Sequence, residues 1–278
     1  MAAEQIGPEL APFKYKVEQL IKQRIAVGDS STVSVYFRDL ADGPWFGIDE
    51  DALFSPASLM KVPVMMAYLK KAEGYPESLT RQRLVYEGNK DWNAAENIKP
   101  TKAIVAGRSY TVDELITMMM RYSDNNAWSV LYQHVTTKEL DRILNELNME
   151  YDPARSEDFM SVKTYSTLYR VLYNASYLNR QMSEKALEYL ARDDFKAGML
   201  SGVPKGVTVA SKFGERTLGE HREVSQLHEF GIVYYPHGNY LLGIMTRGHD
   251  FSKQSMILRD ISRLVYEEVD RQHREAKQ

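Results

Sequence analysis

The sequence predicts an α/β (α+β) fold: a five-stranded antiparallel sheet built from both chain ends, flanked by terminal helices, plus an all-helical lobe. Three observations point there. Apolar residues alternate with period two at two places near the start of the chain and at three near its end. Between about Ser58 and Leu200 the apolar spacing is mostly helical. An amphipathic helix pattern stands at each end. A single domain, 1–278, is expected, with an α/β lobe of 12–56 plus 205–275 and a helical lobe of 57–204. The cleft between the lobes is the natural place for a site.

In chain order, Phe13, Val17, Leu20, Ile21 and Ile25 recur at helical spacing, and Gly28 follows as a stop. Thr32 to Phe37 places Val33, Val35 and Phe37 on one face of a strand. Asp42-Gly43-Pro44 turns the chain into a second strand, Trp45 to Ile48. Thr111 and Glu114 form a capping-box pattern before Leu115, Ile116, Met119 and Met120. Thr136 and Glu139 form another before Leu140, Ile143, Leu144 and Leu147. Val162 to Tyr173 and Glu184 to Leu190 read as further helices. Val207 to Phe213, Leu227 to Tyr235 and Tyr240 to Thr246 read as strands, with Pro236-His237-Gly238-Asn239 turning the last two into a hairpin. A final helix carries Ile257, Ile261, Leu264 and Val265, and the tail Arg271 to Gln278 is expected to fray.

Composition narrows the function. The 278 residues are 44% hydrophobic and 26% charged, with a net charge of −3. No basic stripe recommends nucleic acid or an anionic membrane as partner. Without cysteine, thiolate catalysis and zinc-thiolate sites are excluded. The six histidines lack metal spacing, so neither a metal nor another cofactor is expected. His221 and His228 read as structural, and Met65-Met66 and Met118-Met119-Met120 as core filler. No apolar run is long enough to span a bilayer, and the first residues show no export signal.

Three short segments could carry chemistry. Ser58-Leu59-Met60-Lys61 sits where a loop becomes a helix. Residues three apart share a helix face, so the amine reaches the hydroxyl. Unpaired N–H groups at the helix start push Lys61 toward its neutral, basic form and favour a developing oxyanion. Ser123-Asp124-Asn125 offers a second hydroxyl to relay a proton, a carboxylate to brace the turn, and an amide for a substrate carbonyl. Ser211-Lys212-Phe213-Gly214 lies on a strand. There Lys212 would attract a carboxylate substrate, and Gly214 would let the substrate backbone approach the strand edge. Each segment alone is commonplace: a capping serine, a polar helix end, an edge-strand lysine. Their weight comes from their order and placement together.

In that order, Ser-x-x-Lys, Ser-Asp-Asn and Lys-[Thr/Ser]-Gly are signatures of class A β-lactamases and penicillin-binding proteins. The chain resembles this serine β-lactamase-like superfamily from Ser30 to its last helix, and the β-lactamase/transpeptidase architecture matches the one read above. The resemblance implies Ser58 as nucleophile, Lys61 as its base and Ser123 as proton relay. It implies that Asn125 holds the substrate amide, that Lys212 helps bind the carboxylate, and that the N–H groups of Ser58 and Glu215 form the oxyanion hole. The partner implied is a β-lactam or a peptidoglycan-like peptide, met outside the cytoplasm, in the periplasm or cell envelope, and a monomer is expected. Alternatives within the resemblance are a D-Ala-D-Ala peptidase, an esterase, or a catalytically idle receptor.

Two departures stand out. Phe213 replaces the usual Thr or Ser and loses a hydroxyl contact to the carboxylate, leaving Arg216 as a substitute anion partner. The stretch from Asn148 to Ser161 lacks the Glu-x-x-Leu-Asn motif of a class A Ω-loop, whose glutamate activates the deacylating water. Glu157 and Asp158 are the nearby carboxylates. Acylation at Ser58 followed by slow deacylation is therefore expected.

Overall fold

The computed structural model describes residues 10–41, 43–149, 157–221 and 223–275. Helix α1 (Ala11–Ala26) buries Phe13, Val17 and Ile21, the stripe its spacing predicts. Gly28, at φ 74°, ends it in a conformation that side chains rarely adopt. Strands β1 (Thr32–Asp39), β2 (Trp45–Ile48) and β3 (Leu53–Phe54) follow. A 3₁₀ turn, Ala57–Met60, then runs into α2 (Lys61–Ala72). Next come α3 (Ser78–Arg81), β4 (Arg83–Tyr86), β5 (Arg108–Thr111), α4 (Val112–Arg121), α5 (Asn125–Tyr132) and α6 (Thr137–Glu146). Both capping boxes form, Thr111 with Glu114 and Thr136 with Glu139. After β6 (Met160–Ser161) come α7 (Val162–Tyr173) and α8 (Arg180–Leu190). The chain closes with β7 (Thr208–Leu218), β8 (Val224–Tyr234), β9 (Tyr240–Gly248) and α9 (Phe251–Glu275).

Five strands pair antiparallel in the order β2-β1-β9-β8-β7, so the two chain ends meet where Val35 faces Ile244. Alternation sends neighbouring residues to opposite faces. Val35 and Phe37 pack with Phe13, Ile257, Ile261 and Val265 beneath the terminal helices. Tyr36, Phe230 and Met245 pack on the other face with Met65, Met119, Tyr165 and Tyr169. The sheet is thus buried on both sides, and α2 lies in a helical layer whose one end reaches β7. Among the described residues no helix is long and apolar enough to cross a membrane.

Some boundaries differ from the sequence reading. β7 continues past Phe213 to Leu218, because its backbone pairs with β8 as far as Leu218 opposite Val224. The polar run Glu215-Arg216-Thr217 does not stop a ladder whose bonds are all main-chain. α8 begins at Arg180 rather than Glu184, since the Asn179 side chain caps Met182 N at 2.9 Å. The ribbons β3–β6 and β4–β5 were not foreseen, being two to four residues long and formed between distant segments. Arg271 to Glu275 remain helical rather than frayed, supported by pairs of Arg271 with Glu268 and Glu275 and of Arg274 with Asp270. Asp42 and residues 150–156 of the stretch before Ser161 lie outside the described residues.

Candidate active site

The turn that presents Ser58 is pinned from three sides. Ser55 N donates to Gln226 Oε1 at 3.0 Å, and Ser55 O lies 3.0 Å from His228 Nε2. Thr246 N donates to His228 Nδ1 at 3.2 Å, which puts the ring proton on Nε2. Burial lowers His228 to about 3, so the ring stays neutral and structural, as its sequence context suggested. Ala57 takes a positive φ of 49° to enter the 3₁₀ turn. Tyr165 OH then donates to Leu59 O at 2.7 Å. From the sheet side, Gly214 closes the packing. A Cβ there would lie 2.9 Å from Pro56 O and 3.0 Å from Leu59 N. Gly214 therefore lets the strand approach the turn that carries Ser58.

Ser58 is half-buried and Lys61 is 3% exposed, at the first position of α2. Lys61 Nζ donates to Ser123 O at 2.7 Å and to Ser123 Oγ at 3.0 Å. Lys212 Nζ donates to the same Oγ at 3.0 Å and to Phe213 O at 2.9 Å. Two lysines far apart in sequence thus meet on one hydroxyl. Ser123 lies just past the end of α4 with φ 56°, a left-handed conformation uncommon for serine. Asp124 caps α5 immediately after it. Its buried carboxylate accepts from Asn126 N at 2.9 Å, Asn93 Nδ2 at 2.8 Å and Ile104 N at 2.8 Å.

Burial, then the charge of Lys212, hold Lys61 well below the ordinary lysine range, while Glu96, Asp124 and Glu215 pull the other way. The amine is thereby favoured over the ammonium. Burial also lowers Lys212, to about 8, against the charges of Asp193 and Glu229. Of these two carboxyl groups beside Lys212, the half-buried Asp193 is raised to about 6 and the buried Glu229 to about 8.

The sequence-predicted residues divide. Ser58, Lys61, Asn125, Glu215 and Arg216 line one cavity of about 550 Å³. Ser123 and Lys212 are buried and join the cavity through the Lys61 amine, which shares the Ser123 hydroxyl with Lys212. Phe213 does not reach a substrate position in the same way: it is 5% exposed and stacks on Phe195, with ring centroids 4.3 Å apart. Arg216 pairs with Glu157 at 2.9 Å, so the proposed anion partner and one proposed base hold each other. Asp158 pairs with Arg247 at 2.8 Å and accepts from Gln226 at 2.9 Å. A second, mainly apolar cavity of about 330 Å³ adjoins the first through Ala57, Met60, Trp128 and Arg216.

Sequence reasoning missed the segment between β4 and β5. Asn93 docks on Asp124, and Asn125 N donates to Asn93 Oδ1 at 2.8 Å. Farther along, Glu215 accepts from Asn97 N at 2.8 Å, Asn97 Nδ2 at 2.8 Å and Ile98 N at 2.5 Å. The segment therefore ties α5 to β7. Between these anchors it carries Glu96 into the cavity, where Asn125 Nδ2 donates to Glu96 Oε1. Nothing in the sequence near Glu96 marks it, because both of its partners are distant.

A sheet from both chain ends with a helical insertion, and a Ser58-to-Lys212 cluster at their junction, define the β-lactamase/transpeptidase class of fold. The chain belongs to the Beta-lactamase enzyme family, which it matches over residues 14–269. It is similar in structure to a PBP-A mutant solved as its acyl-enzyme complex with penicillin G, at 21% identity and a TM-score of 0.75 over 93% of this chain and 97% of that one. It is also similar to a β-lactamase from Sphaerobacter thermophilus, at 18% identity and a TM-score of 0.75 over 91% and 95% of the two chains. A third similar structure is a β-lactamase from Chitinophaga pinensis, at 15% identity and a TM-score of 0.76 over 91% and 98%. No curated protein matches the chain.

Proposed function

We propose that the protein is a serine acyl-enzyme hydrolase that β-lactams acylate at Ser58, working outside the cytoplasm as its family resemblance implies. The observation that carries this reading is Ser123 Oγ, 3.0 Å from both Lys61 Nζ and Lys212 Nζ beside a cavity lined by Ser58. Neutral Lys61 takes the Ser58 proton as Oγ attacks the carbonyl carbon. The N–H groups of Ser58 and Glu215 receive the oxyanion. Lys61 passes the proton to Ser123, which delivers it to the leaving nitrogen, while the Lys212 cation keeps Ser123 oriented. Asn125 holds the substrate amide through its second side-chain N–H, the first remaining on Glu96. With Glu157 and Asp158 engaged by arginines, hydrolysis of the ester is slow near neutral pH.

The test is intact mass followed over time after mixing with a penicillin, with peptide mapping of the adduct. The expected result is a stoichiometric adduct on Ser58 that decays slowly, and a burst with a chromogenic cephalosporin. No adduct and no turnover with any penicillin or cephalosporin would remove the reading. A peptidase or esterase acting on a substrate without a carboxylate is favoured by one observation, the ring of Phe213 over Lys212. Faster acylation by a neutral ester than by penicillins would select it.

A further inference from the structure

Hydrolysis of an acyl-Ser58 needs a base for water, and the described carboxylates before Ser161, Glu157 and Asp158, are each paired with an arginine. The cavity that Ser58 lines holds another carboxyl group, Glu96, brought in by the β4–β5 segment. Resting on the acyl-enzyme reading above, we infer that Glu96 is the general base that activates the deacylating water, held in place by Asn125 and Glu215.

Three features of geometry support this. Glu96 is half-buried and shares the cavity with Ser58 and Lys61. Its carboxyl group receives the side-chain N–H of Asn125, which is fixed to the same segment through Asn93. It also lies in hydrogen-bond contact with the Glu215 carboxyl. Glu215 in turn is locked by Asn97 and Ile98, the residues that follow Glu96. The segment is thus clamped on both sides of Glu96, and the Asn125 side chain holds the carboxyl group itself.

The Glu96 carboxylate removes one proton from water while the water oxygen bonds to the acyl carbon. The bond from that carbon to Ser58 Oγ then breaks. Glu96 hands its proton to the Lys61 amine, and the resulting ammonium protonates Oγ. The products are the free acid and the original Ser58.

The charge environment sets when this base is available. Burial and the neighbouring Glu215 raise Glu96, whereas Lys61 and the Asn125 N–H lower it. Lys212 faces the group from β7, while Asp91, Lys90 and Arg216 line the same cavity. The net effect holds Glu96 above the ordinary carboxylate range. Deacylation is therefore slow where Glu96 is protonated and accelerates as pH rises and Glu96 ionises.

The experiment forms the penicilloyl enzyme of the full chain and follows its decay by intact mass from pH 5 to pH 9. Wild type, Glu96→Gln and Glu96→Ala are compared, with acylation rates measured alongside. Expected are a wild-type decay that speeds up with pH and an Glu96→Gln decay slower by about 10²–10⁴-fold with the rise abolished. Circular dichroism and melting temperature of Glu96→Gln should match the wild type, which shows that the variant is folded. Added formate should restore decay in Glu96→Ala, a recovery that a purely structural role would not produce. Wild-type decay and pH profile in Glu96→Gln would overturn the inference while leaving acylation at Ser58 standing. Absence of any adduct on the wild type would overturn the acyl-enzyme reading, and this inference with it.

Discussion

The ring of Phe213 lies over the ammonium of Lys212, with Nζ 4.2 Å from the ring centroid. Lys212 is fully buried, so the cation that would anchor a substrate carboxylate is capped by an aromatic face. Phe213→Thr should uncover it and supply a hydroxyl. Acylation by carboxylate-bearing β-lactams is expected to quicken about tenfold, the worth of one charge-assisted hydrogen bond of roughly 1.5 kcal/mol. The stacking on Phe195 would be lost, at a cost of about 2–4 kcal/mol in stability. Stopped-flow acylation and urea unfolding measure the two effects. An unchanged acylation rate would show that the ring is not the barrier.

Lys61→Ala should slow acylation by about 10²–10⁴-fold, the usual contribution of a general base. In the wild type the acylation rate should rise with pH to a plateau reached well below the ordinary lysine range, since burial and Lys212 both favour the free amine. A plateau reached only in the ordinary lysine range would assign the proton transfer to another group.

Asp124→Ala should destabilise the fold by about 2–4 kcal/mol, because it strips acceptors from Asn93 and Ile104 and removes the cap of α5. The acylation rate should fall as well, since Asn93 then no longer fixes Asn125. Equilibrium unfolding in urea checks the first effect and adduct formation the second. Stability within 0.5 kcal/mol (about the spread of a surface change) would contradict the bracing role.

Glu229 is raised to about 8 from 4.5, chiefly by burial, and its Oε1 has no hydrogen-bond partner. The native state therefore keeps a proton that the unfolded chain releases above pH 4.5. Its stabilising contribution is full below that pH and is lost as pH rises toward 8. Asp193, raised to about 6, adds the same sign in the lower part of the window. The melting temperature of the wild type should fall between pH 5 and pH 8, and that of Glu229→Gln should fall less. Thermal melts across this range decide it, with parallel curves counting against the buried proton.

Much of the fold was legible because its signals are local. Thr111 with Glu114 and Thr136 with Glu139 announce helix starts through bonds spanning three residues. The alternation around Val35 and Phe37 announces a strand. The pairing of β4 with β5 was not legible, since four-residue strands joined across a long segment leave no periodic pattern. The extent of β7 beyond Phe213 was hidden for a related reason: main-chain pairing with β8 does not depend on side-chain polarity.

The sequence by itself determined the chemical groups and their local spacing. Ser58 stands one turn from Lys61, Ser123-Asp124-Asn125 follows a helix, and Lys212-Phe213-Gly214 lies on a strand. Backbone sterics and hydrogen bonds over a few residues suffice for each. Only the tertiary structure decided which groups meet. It placed Lys61 and Lys212 on one hydroxyl, 89 residues of chain separating the latter from Ser123. It laid Phe213 over Lys212, set Gly214 against the turn that carries Ser58, and paired Glu157 and Asp158 with arginines. It also brought Glu96 to Asn125, 29 residues away. Burial and Coulomb interactions act through space, so the protonation of Lys61 and the company of Glu96 exist only once the chain has closed around them.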